Sequence, residues 1–151
     1  MTTQAKVSAA ITDLIVINND RQEGYKTASK EAKESDLKEL FNSFSVQSGG
    51  FSSELRQFVP AGEDQPKRDE TKTTGKLFRA WMDVKAAVTG NDRKAILSSC
   101  EFGEDTAKKH YQDALQTTNE IPSEAFEIIR KQSEELKKAH DRIKALRDAS
   151  K

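Results

Sequence analysis

Two glutamates and a histidine stand where a helical chain could do chemistry. Glu101 and Glu104 are three residues apart in a stretch whose apolar residues recur at helical spacing. At roughly 100° per residue, both carboxylates fall on the same side as Leu97, Tyr111 and Leu115. His140 falls between Leu136 and Ile143 on the inward stripe of a later helix, with Gln132 on the same stripe. An earlier helix adds Asn18 and Gln22, and another adds Ser48, so a polar layer crosses the interior. Carboxylates are almost never buried unpaired, so Glu101 and Glu104 require protonated His140, the amides, water or a metal ion as partner.

Two carboxylates at i and i+3 with an imidazole from a facing helix supply three ligands suited to iron, manganese or zinc. They do not make a complete di-iron centre, which takes one Glu from each of two helices and Glu-x-x-His from each of the other two. Lys137 stands three before His140 and Ala107 three before His110, and His110 lies off the apolar stripe. The same layer also reads as a hydrogen-bonded Glu-His-Asn/Gln network, bridged by water, that sets helix register, or as a small-molecule pocket. None of these readings requires an organic cofactor. Cys100 reads as a small core residue and not a nucleophile, because no inward histidine sits on a neighbouring turn. Glycine-rich phosphate loops and Gly-x-Ser-x-Gly are absent. Tyr25 and Tyr111 read as core residues with anchored hydroxyls.

The elements that position these residues follow from periodicity. Helix 1 is expected from about Val7 to Lys33 on Ile11, Leu14, Ile15, Tyr25, Ala28 and Ala32. Helix 2 is expected from a capping box at Ser35-Asp36 with Glu39, through Leu37, Leu40, Phe41, Phe44, Phe51, Leu55, Phe58 and Val59, to just before Pro60. Gly49-Gly50 inside it weakens it by about 1 kcal/mol per glycine, favouring a bend or a close helix approach. Residues 60–75 carry no apolar period and read as an exposed loop. A short amphipathic stretch, Leu77, Trp81, Val84 and Val88, reads as a connector pinned to the bundle by Trp81. Asn91-Asp92 caps helix 3, and Pro122-Ser123 opens helix 4. The links between helices 1 and 2 and between 3 and 4 are short, which makes antiparallel pairs. The crossover, about residues 60–91, is long enough to travel the length of the bundle. The expected fold is therefore all-α: one domain over residues 1–151, a four-helix bundle with a long helix-containing crossover between helices 2 and 3. Sliding helix 1 onto helix 3 aligns Asn18 with Glu104 and Tyr25 with Tyr111, an internal repeat of helix pairs.

Composition narrows the function classes. Twenty-five basic side chains balance 25 acidic ones, so no global field gathers nucleic acid or anionic lipid. Hydrophobic residues at 34% against 33% charged suit amphipathic helices under a charged surface. The apolar run at Leu14-Ile15-Val16-Ile17 is far short of the roughly 20 residues a membrane span needs. One cysteine and no signal pattern after Met1 give a cytoplasmic expectation. The alternating charges from Ala139 to Asp148 read as a solvated salt-bridged face.

Several segments read together: Ile17-Asn18-Asn19-Asp20 with Glu23-Gly24-Tyr25, Glu54-Leu55, Trp81-Met82, Cys100-Glu101-Phe102-Gly103-Glu104-Asp105 and Ala139-His140-Asp141-Arg142. In these the chain resembles an uncharacterised bacterial family of four-helix-bundle proteins, a domain of unknown function within the ferritin-like superfamily. The resemblance implies the bundle fold and adds Glu23 and Glu54 as weaker metal-ligand candidates beside Glu101, Glu104 and His140. It carries no activity. The function expected is a non-catalytic structural or interaction protein, with stress association and homodimerisation as open features. The alternative is a metal-binding ferritin-like redox protein using the inner carboxylate and histidine groups.

Overall fold

The computed structural model describes residues 3–59, 92–117 and 121–150. Four helices account for almost all of them: α1 Thr3–Glu31, α2 Ser35–Arg56, α3 Arg93–Thr117 and α4 Ser123–Asp148. The expected loop at residues 60–75, the connector at 77–88 and Trp81 lie outside the described residues.

Each helix buries one seam of residues spaced alternately three and four apart, the spacing that keeps one face turned toward a neighbouring helix. On α1 the seam is Ile11, Leu14, Asn18, Arg21, Tyr25 and Ala28, continued by Ala32 just past its end. On α2 it is Leu37, Phe41, Phe44, Ser48, Phe51 and Leu55. The α3 seam is Leu97, Cys100, Glu104, Ala107, Tyr111 and Ala114, and that of α4 is Ala125, Ile129, Gln132, Leu136, Ala139 and Ile143. No residue of the four seams is more than 9% exposed. Helix α1 is the most enclosed, with residues 14–21 all buried.

Side-chain links fix the helix directions. Ser52 on α2 bonds the Ile15 carbonyl while Ser29 bonds the Lys38 carbonyl, so α1 and α2 are antiparallel. His110 meets Asp13, and Arg93 meets Glu34 just past the end of α1, so α1 and α3 are antiparallel. Tyr111 with Gln132 and Glu101 with Arg147 make α3 and α4 antiparallel. The packed pairs are α1 with α2, α3 with α4, α1 with α3 and α2 with α4, leaving α2 and α3 parallel and diagonal. A chain leaving the end of α2 must therefore return along its full length, about 33 Å for 22 residues, before α3 begins. This is the four-helix bundle with one long crossover that the connection lengths imply.

Two local expectations need correction. Helix α2 is capped by Glu34 with no side-chain bond to its first turn, so the capping box at Ser35-Asp36 does not form. Asp36 and Glu34 instead hold Arg93 at the start of α3, at 2.7 and 2.9 Å. The Arg93 guanidinium holds the Asp36 carboxyl below its ordinary range. Helix α2 also ends at Arg56, with Phe58 and Val59 in the turn that follows. Asp92 does cap α3, its Oδ1 accepting the Ala95 amide at 3.2 Å. None of the described helices is long and apolar enough to cross a membrane.

Candidate functional site

The seams carry polar residues at one level of the bundle, and these join into a chain that touches all four helices. Arg21 Nε donates to Glu104 Oε1 at 2.8 Å, with neither side chain exposed to solvent. Tyr25 Oη donates to the same oxygen at 2.5 Å. The other arm of Arg21 donates through Nη1 to Ser48 Oγ at 2.7 Å and to the Phe44 carbonyl at 3.3 Å. Ser48 Oγ donates to Asn18 Oδ1 at 3.1 Å, and Asn18 Nδ2 donates to Tyr111 Oη at 2.6 Å. Tyr111 donates to Gln132 Oε1 at 2.6 Å, and Gln132 Nε2 reaches Glu54 Oε1 at 3.2 Å at the exposed edge. The Arg21 guanidinium lies 5.2 Å from the ring centroids of both Tyr25 and Phe44, which offer it their π faces in place of water.

Electrostatics follow from this burial. A lone buried carboxylate would be costly, and the Arg21 cation balances Glu104 within one hydrogen bond. Burial, reinforced by the Glu104 charge, pushes the Tyr25 phenol well above its ordinary value. Burial also raises the Tyr111 phenol and the Cys100 thiol, so both tyrosines stay protonated donors and Cys100 stays a thiol. A buried cysteine held in that form is not a nucleophile.

The sequence-derived candidates divide into two places. Asn18, Ser48, Gln132 and Glu104 meet in the core layer. Glu101 and His140 do not join them. Their side chains lie on the flank of the bundle, 17% and 14% exposed, where α3 and α4 close against each other. Gln22 is half-buried and lies against Gly49, whose missing side chain leaves room for it: a Cβ there would stand 2.7 Å from Gln22 Nε2. Glu23 is exposed, and Glu54 is exposed apart from its contact with Gln132. His110, off the stripe as expected, pairs with Asp13 at 2.9 Å.

Arg21 is the residue of the core layer that sequence reasoning missed. It completes the alternating spacing between Asn18 and Tyr25, so its place on the seam was legible; its charge argued for the solvent face. An inward Glu104 was itself a demand for a buried cation, and Arg21 alone among the described seam residues supplies one.

The flank holds the second place. Among the described residues, Glu101, Asp105 and His140 form a group whose ligand atoms all lie within 4.8 Å of one another. His140 Nε2 is 2.9 Å from Asp105 Oδ1, and Nδ1 is 3.1 Å from Asp141 Oδ1. Arg147 Nη1 lies 2.5 Å from Glu101 Oε2. The hydrogen bond from His140, foremost, holds the Asp141 carboxyl below its ordinary value.

The core layer does not fit the di-metal centre of carboxylate bundles. That centre needs carboxylates from all four helices and two histidines around a shared cavity. Here the core seams offer a single carboxylate, Glu104, and no histidine; its Oε1 already accepts from the Arg21 guanidinium and Tyr25, while its Oε2 is buried without a hydrogen-bond partner.

A family model described as Domain of unknown function (DUF2383) matches residues 6–117, which takes in α2 and α3 whole, nearly all of α1 and the core polar residues except Gln132. No curated protein matches the chain.

Proposed function

The chain belongs to the DUF2383 family, a domain of unknown function, and from the chemistry of its polar layer we propose a non-catalytic structural or interaction module of ferritin-like architecture. The observation that carries this reading is Arg21: its buried guanidinium, and not a second carboxylate, is what meets Glu104 in the core, and it binds Glu104 and Ser48 directly. The hydrogen bonds of this layer tie all four helices together at one level and support a register-setting role, while Glu104 Oε2 and Arg21 Nη2 are buried beside them without a hydrogen-bond partner. The raised phenols of Tyr25 and Tyr111 and the raised Cys100 thiol support the same reading, since none is activated for chemistry near neutral pH. Cys100 as a lone buried thiol fits a bacterial cytoplasm.

The surface is charged, and the exposed large hydrophobic side chains among the described residues are Val46 on α2 and Phe102 on α3. These helices are diagonal in the bundle, so the two residues do not form one apolar patch.

The test compares wild type with Arg21→Met/Glu104→Gln for iron(II) oxidation by oxygen or peroxide, alongside helicity and light-scattering mass. We expect neither protein to exceed the protein-free rate and both to keep the same mass. An oxidation rate in wild type that disappears in the double variant would overturn the proposal.

A further inference from the structure

We propose that Glu101, Asp105 and His140 form a mononuclear site for a zinc(II)-class divalent cation on the α3–α4 flank, with Asp141 as the residue that orients the imidazole. The site is separate from the core layer and does not depend on the reading of that layer.

Geometry on two helices builds it. Glu101 and Asp105 are one turn apart on α3 and stack on the same face, and antiparallel α4 brings His140 across to them. Ligand atoms already gathered within 4.8 Å need only side-chain rotation to close on one ion. One imidazole nitrogen and two carboxylate oxygens are the donor set of open zinc sites, in which water completes the shell. Asp105, 55% exposed, stands on the solvent side and marks where water and the ion enter.

The contact of His140 with Asp141, outside the three ligands, adds an orienting group. Both ring nitrogens face carboxylate oxygens, Nε2 toward Asp105 at 2.9 Å and Nδ1 toward Asp141 at 3.1 Å. As imidazolium the ring donates to both carboxylates, whereas a neutral imidazole has a single N–H and leaves its other nitrogen with a lone pair facing a carboxylate, where a cation fits between them. With the proton on Nδ1 and donated to Asp141, the Nε2 lone pair points at Glu101 and Asp105. That is the carboxylate–histidine–metal arrangement, in which the outer carboxylate fixes the tautomer and strengthens the ligand. Three carboxylates surround the ring, and the cations nearest them are Arg147 on Glu101 and Lys137, 3.8 Å from Asp141. Arg147 therefore competes with the metal for Glu101.

The experiment is calorimetric titration of the untagged full chain with zinc(II), with retained zinc measured after desalting. We expect one equivalent, with an upward shift in melting temperature that a chelator reverses. His140→Ala and Asp105→Asn should each weaken binding at least tenfold. Asp141→Asn should weaken it about 10- to 100-fold, a loss that an orienting carboxylate produces and a bystander does not. Arg147→Gln should tighten binding several-fold. Glu104→Gln and His110→Ala should bind as wild type, since the first belongs to the core and the second to the separate Asp13 pair. Circular dichroism confirms that each variant is folded. No retained zinc in wild type, or retention unchanged in both His140→Ala and Asp105→Asn, would show an ion-pair network only and overturn the proposal. Loss in Glu104→Gln with normal binding in folded His140→Ala would overturn it as well, by placing the metal in the core.

Discussion

Tyr25 and Tyr111 play the same part from opposite helices: the Tyr25 hydroxyl meets Glu104 on α3, and the Tyr111 hydroxyl meets Asn18 on α1. Asn18 and Glu104 are themselves the equivalent positions when α1 is aligned with α3. The internal repeat is thus expressed as a pseudo-two-fold pair of contacts between the two helix hairpins.

The tyrosines give the first prediction, because the chain has only these two and both are buried. Their folded pKa values lie above the unfolded value of about 10, so the unfolded chain loses its phenolic protons first. Stability from these groups is intact below pH about 10 and declines as pH rises toward the folded values. Near-ultraviolet titration should show no phenolate while the helices persist, then both phenolates together as helicity is lost. Phenolate forming at about pH 10 with full helicity would contradict the burial of these hydroxyls.

Breaking the core ion pair from one side gives the second. Arg21→Met leaves Glu104 buried without its cation and should cost about 3–5 kcal/mol in urea unfolding. Adding Glu104→Gln removes the stranded charge while keeping an acceptor for Tyr25, and should recover about 1–3 kcal/mol. Additive losses in the double variant would mean that the two side chains are not coupled.

The glycines of α2 give the third. Both lie inside a helix that continues through them, and nothing lies within 4 Å of a Cβ built on Gly50. Gly50→Ala should stabilise the protein by up to about 1 kcal/mol, through helix propensity alone. Gly49→Ala should gain less, because its methyl must displace the Gln22 amide. Thermal melts of the two variants rank them directly, and equal gains would refute the close approach of Gln22.

Connection lengths and apolar spacing were enough for the fold: short links gave the antiparallel pairs, and the long link forced α2 and α3 parallel. What spacing could not supply was the partner of each polar group. Asp36 looks like the start of a capping box, yet Arg93 draws its carboxylate away, and that contact exists only once α2 and α3 are placed. Glu101 and Glu104 both fall on the apolar half of a helical wheel, but the seam passes through Cys100 and Glu104. Glu101 is rotated one residue off it, toward α4, where Asp105 stacks beneath it. Asp105 was overlooked because a carboxylate one turn from another reads as ordinary surface until the facing helix supplies His140. Family resemblance was legible in the segments around Asn18 and Glu104, and the family match over residues 6–117 covers both.

The pseudo-two-fold arrangement is unequal in charge, and this decides which hairpins can mate. The place that Arg21 holds on α1 is taken on α3 by Ala107. Two copies of the first hairpin, docked face to face, would bring two seam arginines together with no seam carboxylate opposite them; two copies of the second would bring two seam glutamates together with no seam cation. Each such stranded charge costs about 3–5 kcal/mol. Only the unlike combination sets a seam cation against a seam carboxylate, so the same handful of residues that aligns the helices also disfavours self-pairing of either half.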